Sequence, residues 1–90
     1  TTYTLAAADN GKVVTLNHSS AITLTIPTGL GDGFNCLLVQ KGAGQVTIAA
    51  ASGVTISNRS SETKTAGRYG IVTVVNIGSE AYILAGDTGS

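Results

Sequence analysis

The side chains best suited to chemistry are few: His18, Cys36 and the acids Asp9, Asp32, Glu62, Glu80 and Asp87. His18 stands beside Ser19 and Ser20. A catalytic histidine needs a nucleophile and an orienting carboxylate within reach, and no serine here sits in a Gly-x-Ser-x-Gly elbow. It reads as a solvated or interface histidine. Cys36 lies in the apolar run 34–39, where a free thiol behaves as a small buried hydrophobe. A nucleophilic thiolate needs neighbouring positive charge and access. One cysteine closes no internal disulfide, and one histidine with one cysteine makes no structural zinc cluster. The acids are scattered over corners, which suits turn capping and solvation. A glycosidic pair would have to converge to about 5–9 Å. Asp32-Gly33 lacks the alternating acids of a calcium loop, and the glycine-rich segment 28–33 lacks the lysine of a phosphate-cradling loop. Asn17-His18-Ser19 and Asn58-Arg59-Ser60 match the N-glycosylation acceptor pattern and read as chance matches in loops. No enzyme activity, metal or cofactor is expected.

The segments that must position these residues are short and β-prone. Thirteen threonines, eight valines and seven isoleucines give the chain side chains that are stiff at χ1 and suit strands. Twelve glycines spread along it supply corners. Strands are expected at residues 2–5, 12–16, 21–26, 34–40, 45–49, 54–56, 62–66, 71–77 and 81–85. The alternation is clearest at 21–26, with Ile22, Leu24 and Ile26 on one face and Thr23 and Thr25 on the other. Pro27 ends that strand, having no N–H to donate. Residues 34–40 are almost continuously apolar and read as a central strand. Val46-Thr47-Ile48 recurs as Val54-Thr55-Ile56 at a spacing of eight, which hints at stacked or paired strands. Gly78-Ser79-Glu80 reads as a hairpin loop, with 81–85 running back against 71–77, and residues 86–90 as a polar tail. Residues 57–61 are the most polar stretch. The aromatics Tyr3, Phe34, Tyr69 and Tyr82 read as core or interface residues with wet tyrosine hydroxyls rather than as a stacking platform.

The expected fold is a single all-β domain over residues 1–90: a small antiparallel β-sandwich or barrel-like module of eight or nine short strands. Five basic and five acidic residues cancel, and only 11% of the chain is charged. Small free-standing domains usually carry more charge, so much of this surface is expected to be covered by a partner, and oligomerisation would supply that cover. With no basic stripe, nucleic acid is not an expected partner. With no run of 18 apolar residues, neither is a membrane-spanning role. No signal peptide is recognisable. Thr1 fits either removal of an initiator methionine or excision from a longer chain.

Several stretches together carry a resemblance. They are Tyr3-Thr4-Leu5 with Asp9-Asn10-Gly11-Lys12-Val13-Val14, then Ile22-Thr23-Leu24-Thr25-Ile26-Pro27. Gly42-Ala43-Gly44-Gln45-Val46-Thr47-Ile48 with Gly53-Val54-Thr55-Ile56 follows, and the closing Ile77-Gly78-Ser79-Glu80-Ala81-Tyr82-Ile83-Leu84-Ala85-Gly86-Asp87. Over nearly its whole length the chain resembles small β modules of tailed-phage virion proteins, of the capsid decoration, head-fibre and tail-fibre type. Those modules carry Trp near the end, where this chain has Tyr82. The resemblance implies a virion structural protein, often trimeric. Two roles follow as expectations. One is a capsid decoration (cement) protein on the outer surface of the phage head, with its own copies and the major capsid protein as partners. The alternative is a tail-fibre or tailspike module whose loops 28–33 and 57–61 touch host glycan. Thr1, Thr2, Tyr3, Thr4 and Leu5 are the expected interface residues, as an arm or edge strand that pairs with a neighbour.

Overall fold

The structure, a computed structural model, describes residues 2–89. The β-prone segments form ten strands: β1 (Thr2–Thr4), β2 (Val13–Leu16), β3 (Ile22–Ile26), β4 (Asn35–Gln40), β5 (Val46–Ala50), β6 (Thr55–Ser57), β7 (Lys64–Thr65), β8 (Ile71–Gly78), β9 (Ala81–Gly86) and β10 (Thr88–Gly89). One turn of 3-10 helix, Ala7–Asp9, occupies the alanine stretch. The strands make two five-stranded sheets, ordered β1-β3-β5-β7-β10 and β2-β4-β8-β9-β6. The fold is all-β, as the composition demands.

The expected antiparallel pairing needs correction, because both sheets are mixed. β1, β3 and β5 run parallel in the first sheet, and β2 with β4 and β6 with β9 run parallel in the second. The cause is the path of the chain. From β1 to β6 it steps alternately between the sheets, so each strand through β5 lands beside the one two earlier, in the same sense. Val13 pairs with Leu37 and Ile22 with Val46, an offset of 24 residues in both sheets. The connection between them stacks at the same offset. A Cβ on Gly42 would collide with the His18 backbone, and one on Gly44 with the Ser20 carbonyl. The Gly44 N–H donates to His18 O at 2.8 Å, and the Ile22 N–H to Gln45 O at 3.0 Å. Residues 13–26 thus form one coil lying on a second at 37–50. The eight-residue recurrence is different: β5 and β6 lie in opposite sheets, and β6 pairs with β9.

The antiparallel portion is β4-β8-β9, and the β8–β9 hairpin is the expected one. Its central residues, Ser79 and Glu80, both have positive φ, 56° and 59°, as a type I′ turn requires. The expected polar tail instead contributes β10, which crosses to the first sheet and pairs with β7.

The core lies between the sheets. Ile22, Leu24, Ile26, Val46 and Ile48 reach it from the first, and Leu38, Val72, Val74, Tyr82 and Leu84 from the second. Each such side chain contributes about 1.5–3 kcal/mol by leaving water. Phe34 meets Tyr82 edge-on, with ring centroids 6.5 Å apart. Three polar side chains are buried with them: Gln40, Thr65 and Asn76. The Thr65 hydroxyl donates to Gln40 Oε1 and accepts from the Val46 N–H at 3.0 Å, while Gln40 Nε2 donates to Gly42 O at 3.1 Å. This node links both sheets to the glycine connection. Asn76 Nδ2 donates to Gly31 O at 2.8 Å, and the Gly29 N–H donates to Glu80 Oε2 at 2.8 Å. The glycine loop 28–33 is therefore tied down over the β8–β9 turn.

Candidate interaction surface

Most of the residues with chemical potential are engaged in structure. His18 Nδ1 accepts the Ser20 N–H at 2.9 Å, shaping the loop that lies on Gly42 and Gly44. Cys36 is buried, and burial, with a smaller contribution from Asp9, pushes its thiol up to about 11. At neutral pH it is a protonated core side chain. Asp9 Oδ2 accepts from the Tyr3 hydroxyl at 2.7 Å and from the Ala6 N–H at 3.0 Å. The bond to Asp9 is the main reason the Tyr3 hydroxyl titrates above its ordinary range, with burial adding to it. Glu62 accepts from the Thr88 hydroxyl at 2.9 Å. Among the described residues no group of three His, Cys, Asp or Glu side chains could hold a metal ion. Tyr82 is wholly buried. Desolvation raises its pKa, partly opposed by the nearby Asn76 amide, and its hydroxyl has no partner at hydrogen-bond geometry.

Of the expected interface residues, Thr1 lies outside the described residues. Thr2, Tyr3 and Thr4 form β1, an edge strand paired in parallel with β3 of its own chain. The side chains of Thr2 and Thr4 are exposed. Tyr3 is half-buried and held by Asp9, and Leu5 is 2% exposed, a member of the core. Tyr69 lies in the turn between β7 and β8. It is 67% exposed, and Arg68 sits 5.0 Å from its ring centroid.

The most unusual surface is the outer face of the second sheet. Residues 34–40 are not buried on both sides: Cys36, Leu38 and Gln40 point inward, while Asn35, Leu37 and Val39 point out. β8 follows the same rule, with Val72, Val74 and Asn76 inward and Ile71, Thr73, Val75 and Ile77 outward. The register assembles these residues into ranks. Val13 lies beside Leu37, Leu37 beside Thr73 and Thr73 beside Ala85. Val39 lies beside Ile71, and Val75 beside Ile83. Val13, Leu37, Ile71, Ile77 and Ile83 are 38–64% exposed. Among the described residues no charged side chain belongs to any strand of this sheet, and the only one in any strand is Lys64, in the other sheet. The face opposite is built differently. There Thr2, Thr23 and Thr47 stand side by side and lead to Lys64, with Thr4 beside Thr25. The sandwich thus shows one face dominated by threonine and one that is uncharged and mainly aliphatic, with Thr15, Asn35, Thr55, Ser57 and Thr73 interspersed. The signal for the aliphatic face lay in the Ile71-Val72-Thr73-Val74-Val75-Asn76-Ile77 segment, which is apolar on both parities.

Two open clefts flank the polar loop after β6. One is lined by Ile56, Ser57, Asn58, Ser61 and Thr63, the other by Arg59, Ser60 and the 83–86 segment of β9 with Thr88. The Asn58 side chain fixes this loop. Its Oδ1 accepts the Ser60 and Glu62 N–H groups at 2.8 and 3.0 Å, and its Nδ2 donates to Leu84 O at 2.9 Å. No family model matches the chain, and neither a characterised protein nor a solved structure is found to be similar to it.

Proposed function

We propose that this chain is a structural module of a tailed-phage virion, acting as a capsid decoration protein that seats on the assembled head and stabilises it. The observation that carries this reading is the uncharged aliphatic outer face of β2-β4-β8-β9-β6. Contiguous exposed apolar surface on a small β module marks an assembly contact. In this role modest contacts become avid through multivalency, and binding only the assembled shell stabilises that shell by mass action. The major capsid protein is the partner this role requires. The test is co-sedimentation of the purified chain with undecorated phage heads, followed by heating. Saturable binding with a raised disruption temperature supports the role; heads that bind none of it and break at the same temperature refute it.

A second reading has its own observation. The clefts beside Arg59, Ser60 and Ser61 present hydroxyl and guanidinium groups that suit a sugar, as a tail-fibre module facing host glycan would. Binding to host polysaccharide, lost in Arg59→Ala, would favour it over the first.

A further inference from the structure

We infer that the outer face of the second sheet is the contact between copies of this chain, which deepens the assembly reading by naming the surface and its occupant. Three observations choose a second copy as the occupant. The first is charge. A face that meets its own image brings like groups together, and any charge near the symmetry axis would meet itself. All ten charged residues lie off the strands of this sheet. An ionic or nucleic-acid partner would find nothing here to pair with.

The second observation is area. Fourteen outward positions, each about 4.8 Å by 6.7 Å, give a footprint of roughly 450 Å². Two such faces bury about 900 Å², at the weak end of protein interfaces, so association of copies is reversible and concentration-dependent. The third is shape. Two identically twisted sheets pack face to face in the aligned manner, about 30° apart, with β-branched side chains such as Ile71 and Ile83 interdigitating. The opposite face, with its threonine hydroxyls and Lys64, stays in water.

The test is light scattering over a dilution series on four proteins: the unmodified chain, Leu37→Lys, Ile83→Thr and Thr23→Lys. Leu37→Lys places a charge within the face. Ile83→Thr keeps a β-branched side chain, so it reports on the face even if the lysine variant folds poorly. Thr23→Lys is the control on the opposite face. A mass of two chains in the unmodified protein, reduced in both second-sheet variants and unchanged in Thr23→Lys, is expected. A single-chain mass at every concentration overturns the inference, as does an oligomer indifferent to Leu37→Lys and Ile83→Thr or one broken by Thr23→Lys. If copies associate through this face yet ignore phage heads, the inference stands and the decoration role falls. A chain that stays single yet binds heads overturns the inference and leaves head binding in place.

Discussion

The stacked coils make Gly44→Ala the most demanding test of the fold. The Gly44 Cα faces the backbone of the preceding coil so closely that an added Cβ falls within 3.0 Å of both the Ser20 carbonyl and His18 O. These are backbone atoms, so no side chain can swing aside. To admit the methyl, the coils must separate where the Gly44 N–H donates to His18 O at 2.8 Å and the neighbouring Ile22 N–H donates to Gln45 O. Each bond is worth about 1 kcal/mol net, and a stranded buried group costs up to about 3 kcal/mol. With the strain of parting β3 from β5, a loss of roughly 3 kcal/mol follows, a large effect for one methyl. At about 4–8 °C per kcal/mol for a domain of this size, the melting temperature should drop by about 12–24 °C. Gly67→Ala is the control, because a Cβ there meets nothing within 4 Å and its φ is not positive. It should fall within about 0.5 kcal/mol of the parent. Urea unfolding by circular dichroism, at one fixed protein concentration because association would shift the apparent stability, measures both. A Gly44→Ala protein as stable as Gly67→Ala would refute the stacked-coil reasoning.

Other outcomes follow from the same physical picture. Thr65→Val keeps the volume but strands the Val46 N–H and Gln40 Oε1, so urea unfolding should show a loss of about 2 kcal/mol; no loss would mean that the node is idle. The Cys36 thiol, at about 11 when folded against an ordinary 9.0, makes stability fall as pH rises from about 9 towards 11, because the unfolded chain releases its proton first. The Tyr3 and Tyr82 hydroxyls, also raised, act in the same direction at still higher pH. Cys36→Ala should flatten the pH 9–11 part of the curve, whereas native thiolate absorbance appearing near pH 9 would contradict the buried assignment. Ser79→Gly relieves a left-handed non-glycine residue in the hairpin turn and should add about 0.5–1 kcal/mol in thermal melts; a lower melting temperature would show that the Ser79 side chain does something the backbone angles do not reveal.

The two outer faces differ in kind. On β1, β3 and β5 threonines stand beside threonines. On the other sheet the outward residues are uncharged and mainly aliphatic, with Thr73 between Leu37 and Ala85. The polar node supplies registry. Gln40 occupies an inward position opposite Leu16, and its bonds to Gly42 and Thr65 fix how the connection and β7 meet β4 and β5.

What the residues determined on their own was local. β-branching and two-residue alternation gave strands, and Ile22, Leu24, Ile26, Val46 and Ile48 went inward as their spacing requires. Gly78-Ser79-Glu80 gave a hairpin because its flanking segments are adjacent in the chain, where local geometry suffices. Partnership between distant strands was a different matter. Alternation by twos is the same for parallel and antiparallel neighbours, so Val13 beside Leu37 and Ile22 beside Val46 could not be told from a meander. The 24-residue repeat left one shared letter, Thr23 with Thr47, because stacking coils need matching polarity and two bare Cα positions at Gly42 and Gly44 rather than matching side chains. The outward aliphatic face emerged only when the sheet order laid β2, β4, β8 and β9 side by side. The tertiary structure decided that, because burial belongs to a layer, and a strand acquires its second side from neighbours far away along the chain.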